Sequence, residues 1–200
     1  MKSINCKIMK KYILFTILII GMPVVADNKI SYNPMFGSNK HQIMIHGGKS
    51  FRSKDKFENL FFGGITYSQP GSFFFGLPAR NNLEINAFKG RDNKENGVPE
   101  STQQVDNLSQ YDLGMIGISK DVALLSGSNA YLAVGLGVYL KEKKTNRIGS
   151  KFTFGERLAL GYSFESGIAM EIYARHFSNA GITDDNSGQN FAGLSVGYTF

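Results

Sequence analysis

His176 and Ser178, two residues apart, are the side chains in this chain best suited to react. In an extended strand successive side chains alternate faces, so this spacing sets an imidazole and a hydroxyl side by side on one surface. Serine is a poor nucleophile until a base takes its proton, and a His–Ser pair is the smallest unit that can carry out acyl transfer. The same face carries Ala174, Ile172, Met170 and Ile168, whereas Asn179, Arg175, Tyr173 and Glu171 point the other way. The reactive pair therefore shares its surface with apolar residues. A soluble strand hides such a face in a core, but a transmembrane barrel turns it to lipid and keeps the polar face in its lumen.

The elements around the pair favour the barrel. Residues 1–26 have the form of a secretory leader, with Lys2, Lys7, Lys10 and Lys11 ahead of an apolar Tyr12–Val25 and small residues at Val24-Val25-Ala26. Gly21 and Pro23 interrupt the apolar run, which falls short of the ~20 residues of a spanning helix. Either Met1 or Met9 can serve as its start. Four lysines and no acid leave with it, so the formal charge falls from +6 to +2 and the basic balance does not point to nucleic acid. Cys6, the only cysteine, leaves too, which excludes disulfides and thiolate chemistry. Residues 27–200 read as one domain.

Alternating segments of about ten residues separated by polar, Gly- and Asn-rich loops are the signature of an outer-membrane barrel. After an irregular entry over Asp27–Lys40, strands are predicted over Gln42–Lys49, Asn59–Ser68, Asn82–Lys89 and Tyr111–Ser119. A turn is expected at Pro70-Gly71, with Phe73-Phe74-Phe75 as an aromatic group at the membrane interface. Residues 51–57, 90–108 and 141–147 read as exposed loops. The fifth strand is the clearest: Leu132, Val134, Leu136, Val138 and Leu140 alternate with Tyr131, Ala133, Gly135, Gly137 and Tyr139. Small inward residues suit a lumen about eight strands round. A sixth strand over Lys151–Phe164 meets the seventh at a Glu165-Ser166-Gly167 turn, and the eighth runs from about Asn190 to Phe200. His41 and His46 are ordinary strand residues, because no Cys, Asp or Glu stands at ligand spacing, and no metal is expected.

The fold expected is an all-β, eight-stranded antiparallel transmembrane barrel. With eight strands both chain ends lie in the periplasm, so Ser178, at the far end of strand seven, reaches the outer leaflet and its substrate should be a lipid there.

The run His176-x-Ser178-Asn179-Ala180-Gly181-Ile182, followed by Asn186, Gly188, Asn190 and a last strand ending on Phe200, resembles the lipid A 3-O-deacylase (PagL-like) family of outer-membrane esterases. The motif covers the C-terminal quarter, and Leu77 to Glu84 is compatible with it. The resemblance implies a Ser–His–acid site on the lipid-facing surface, no cofactor, and lipid A of the outer-leaflet lipopolysaccharide as partner. It makes Ser178 the nucleophile and His176 the general base, and assigns the oxyanion to Asn179 and the Gly181 N–H. Where the best-known version has glutamate, this chain has Asn190. Asparagine can orient the imidazole, but it brings no charge to the imidazolium. Asp184 or Asp185 could fill in. By parity Asn190 shares the outward face with Ala192 and Leu194, while Glu171 faces the lumen. The alternative is a structural or adhesive barrel without activity, for which the Asn190 substitution is the best support. Acyl-chain preference and a homodimer are left open.

Overall fold

In a computed structural model of the chain, residues 32–37, 39–51, 59–92, 109–110, 112–127, 129–145, 147–184 and 186–200 are described. The leader expected over residues 1–26, most of the entry segment, the loop residues 52–58 and 93–108, and Asp185 lie outside them.

Eight antiparallel strands close on themselves: β1 (Gln42–Ser50), β2 (Asn59–Phe73), β3 (Leu77–Asp92), β4 (Leu113–Ser126), β5 (Ala130–Lys141), β6 (Phe152–Ser163), β7 (Ile168–Ser178) and β8 (Gln189–Thr199). Each pairs with the next, and β1 pairs with β8 from Gln42↔Thr199 to Ser50↔Phe191, which leaves no free edge. A two-residue strand, Ser109–Gln110, continues the β3–β4 ladder opposite Asp92 and Arg91. The turns after β2, β4 and β6 are short and the connections after β1, β3, β5 and β7 longer, as in barrels with periplasmic turns and outer loops.

Alternation decides which side chain goes where. Outward positions are apolar and bare, as at Ile45, Ile85, Ile172 and Leu194, each more than half exposed. In water that band would be untenable; against acyl chains it is what holds the barrel in place. Tyr67, Tyr162, Phe164, Tyr198 and Phe200 gather at the periplasmic end, forming an interfacial girdle.

The lumen is filled in three layers. At the outer end Phe62, Phe88, Tyr139, Phe177 and Phe191 pack ring against ring. Glycines opposite them make room: a Cβ at Gly155 would come within 2.6 Å of Tyr139 and 2.9 Å of Phe177. In the middle, Arg80 pairs with Asp121 at 2.6 Å and with Glu171 at 2.8 Å, Arg157 bridges Asp121 and Glu171, and Arg175 pairs with Glu84 at 2.6 Å. At the periplasmic end Met35 and Phe36 pack on Ala123, Tyr131 and Ala133, tied in by Gln42 Nε2 donating to the Met35 carbonyl at 3.1 Å.

The expected turn at Pro70-Gly71 is not there. Both residues lie inside β2, opposite Arg80 and Ala79, and the chain reverses at Phe74–Gly76, with Phe75 at φ 60° and Gly76 at φ 73°. β3 accordingly starts at Leu77, and β4 runs on to Ser126 past a bulge between Ala123 and Leu125. One cause explains these shifts: Arg80 and Asp121 look like loop residues in the sequence, yet they face the lumen and pair with each other.

Candidate active site

The outer ends of β6, β7 and β8 form a small polar row on the outward surface. Register sets Glu156 opposite His176 across β6 and β7, and His176 opposite Asn190 across β7 and β8. Ser178 stands two residues further out on the same face of β7, opposite Phe154. Between the reactive pair Phe177 turns inward and is fully buried among Tyr139, Phe62 and Phe191. The aromatic layer therefore clamps the backbone that presents His176 and Ser178.

His176 Nδ1 lies 2.8 Å from Asn190 Oδ1. Because that partner is an amide oxygen, Nδ1 carries the proton and Nε2 is left as the basic nitrogen. Gly188, at φ 69°, closes over the ring: a Cβ there would lie 2.5 Å from His176 Cε1 and 3.1 Å from Nε2. No larger residue fits without displacing the imidazole. Ser178 Oγ and His176 are neighbours without a hydrogen bond between them in this structure, a spacing that catalytic pairs often tighten only around substrate.

The loop after Ser178 is held by one buried side chain. The Asn179 N–H donates to Asn186 Oδ1 at 2.8 Å, Asn179 Nδ2 donates to Thr183 Oγ1 at 2.6 Å, and Asn179 Oδ1 accepts the Gly181 N–H at 2.9 Å. These bonds carry the chain through Ala180 at φ 52° and Gly181 at φ 78°, the former a conformation that a residue with a Cβ seldom adopts. The two groups expected to face the oxyanion are thus hydrogen-bonded to each other here. A bridge between Ile148 and Asn186, and Ser187 N–H donating to the Arg147 carbonyl at 2.9 Å, tie this loop to the one after β5.

Asp184 is exposed and makes no hydrogen bond to His176, and Glu171 faces the lumen as its parity required. Sequence reasoning passed over Glu156 and gave Gly188 and Asn186 no role. The outward parity of Glu156 with Leu158 and Leu160 was there to be read, but its place beside His176 depends on strand register, which alternation does not carry. Among the described residues no three His, Cys, Asp or Glu side chains converge as a metal site would need.

The model of a protein family described as lipid A 3-O-deacylase (PagL) matches residues 82–199. The lipid A deacylase PagL of Bordetella bronchiseptica is 32% identical over 78 residues, which is 38% of this chain and 44% of that protein, so the match spans less than half of its curated relative. The crystal structure of the outer membrane enzyme PagL aligns at a TM-score of 0.52 and 14% identity, over 80% of this chain and 99% of the other, a likeness of fold.

Proposed function

This chain belongs to the lipid A 3-O-deacylase (PagL) family, and we propose that it is a serine esterase that hydrolyses the ester-linked acyl chain at the 3-position of lipid A. In this reading residues 1–26 are a leader removed on export, and residues 27–200 form one barrel in the outer membrane, with the site open to the outer leaflet. The observation that carries it is the outward row itself: an imidazole bonded at 2.8 Å through Nδ1 to Asn190, with a serine on the same lipid-facing surface at the outer rim.

Ser178 Oγ attacks the ester carbonyl while His176 Nε2 takes its proton. The tetrahedral intermediate collapses, the bond between the acyl carbon and the sugar's 3-oxygen breaks, and His176 returns the proton to that departing oxygen. Water, deprotonated in turn by His176, then cleaves the acyl-enzyme and releases a free fatty acid. Asn190 keeps the imidazole in the productive tautomer. The Gly181 N–H serves the oxyanion by giving up its 2.9 Å bond to Asn179 Oδ1 as the ester enters, and Asn179 holds the loop that presents it. One donor aimed at the oxyanion lowers the barrier by about 3–4 kcal/mol.

Mass spectrometry of lipid A from cells with and without the protein tests this. Loss of one ester-linked chain, abolished in Ser178→Ala, is the expected result. If wild type and Asn190→Glu both leave lipid A intact at normal membrane levels, the barrel without enzymatic activity becomes the better reading.

A further inference from the structure

Among the described side chains, the outward positions of the eight strands hold one carboxylate, Glu156. The other described strand acids, Glu84, Asp121 and Glu171, point inward and are paired with arginines. Glu156 has no hydrogen bond or ion pair among the described residues, and its neighbours along the same face are Phe154 and Leu158. An ionised group on the lipid side is costly and ordinarily marks function. Its location is specific: register makes it the direct cross-strand partner of His176, a position that brings Cβ atoms to about 4.5–5.5 Å.

We propose that Glu156 is a positioning residue for His176, supplying from β6 the negative charge that the neutral amide of Asn190 on β8 cannot supply. The inference rests on the esterase reading. In a Ser–His–acid site one carboxylate both fixes the tautomer and stabilises the imidazolium. Here the two tasks are divided between the flanks of the ring, Asn190 fixing the tautomer at Nδ1 and Glu156 stabilising the charge through space. From β8 the groups facing His176 are Asn190 and Ala192, from the loop Gly188, and from β6 Phe154 and Leu158 besides Glu156, so among the described residues no other ionisable group faces it from the elements packed against it. Lys151 and Asp184 stand in the flanking outer loops, and Tyr162 and Tyr198 at the periplasmic ends of β6 and β8.

The test is Glu156→Gln in the full-length membrane protein, assayed for release of the acyl chain from lipid A across pH. The rate should fall roughly three- to ten-fold, and the ascending limb of the pH profile should move to lower pH, because a protonated imidazole is less favoured once the neighbouring charge is gone. A merely structural role would leave the limb in place. In an Asn190→Glu background, where the charge arrives from the other flank, Glu156→Gln should have little effect. Glu165→Gln in a periplasmic turn should change nothing. Labelling of Ser178 by a fluorophosphonate over the same pH range reports its nucleophilicity without lipid A. If wild type and Ser178→Ala treat lipid A alike, the esterase reading fails, and the labelling rates still decide on Glu156. If Ser178→Ala is inactive but Glu156→Gln matches wild type in rate and limb, the assignment of Glu156 is overturned.

Discussion

Two histidines in this barrel make nearly the same local arrangement on opposite sides of the wall. His46 Nε2 lies 2.8 Å from Asn86 Oδ1, with the Thr66 hydroxyl 3.3 Å from its Nδ1; His176 Nδ1 lies 2.8 Å from Asn190 Oδ1, with Ser178 beside it. Each is an imidazole between an amide oxygen and a hydroxyl. His46, however, is buried in the lumen against Phe62 and Tyr173, where no lipid can reach it, whereas His176 is partly exposed on the surface that meets the leaflet. Chemistry of the same kind is packing on one face and a candidate catalyst on the other. What separates them is strand parity, a shift of one residue.

The largest effects should fall on the outward pair. Ser178→Ala and His176→Ala should each lower ester cleavage by at least about 10³-fold, with the double variant no worse than either, because the two act as a unit. Thr66→Val and His46→Gln, the matching changes inside, should leave activity per folded protein unchanged. Loss of cleavage in the inner variants at normal folded levels would undo the distinction between the two faces.

Next comes a stability effect confined to the inside. Arg175→Met leaves Glu84 buried without its ion-pair partner and should destabilise the barrel by about 3–5 kcal/mol. Unfolding in detergent measures it; an unchanged midpoint would show that water reaches Glu84.

Gly188→Ala should lower activity about ten- to a hundred-fold, since its methyl would meet His176 at 2.5 Å and even a small misplacement of a catalytic group is costly. Unfolding that matches wild type would assign that loss to the site. A smaller change is expected at Asn190. Asn190→Ala should cost about ten-fold, less than either reactive residue, whereas Asn190→Asp or Glu should preserve or raise the rate by placing a charge beside the imidazolium. Lipid A cleavage at matched protein levels checks both.

How much of this was legible beforehand follows from where polar residues sit. β5, β7 and β8 could be read because their alternation is uninterrupted, and parity alone put His176, Ser178 and Asn190 on the outward face and Glu171 inside. The inner halves of β2, β3 and β4 could not. Pro70-Gly71 has turn chemistry and Arg80 and Asp121 look solvated, because a local pattern cannot show that a charge on one strand will meet its opposite on another. The loop after Ser178 was hidden for a related reason: nothing in the spelling of Asn179 shows that its side chain turns inward to organise the backbone from Ser178 to Asn186. Glu156 is the plainest case, since its neighbour is set by register rather than by sequence.

The aromatic layer under the outer rim has a consequence for the membrane as an electrical barrier. With Phe62, Phe88, Tyr139, Phe177 and Phe191 closing one mouth and Met35 and Phe36 the other, the described residues leave no continuous aqueous path through the cylinder. A planar bilayer carrying this barrel should pass no ionic current above its background, so a cell could place many copies among its outer lipids without becoming leaky to ions.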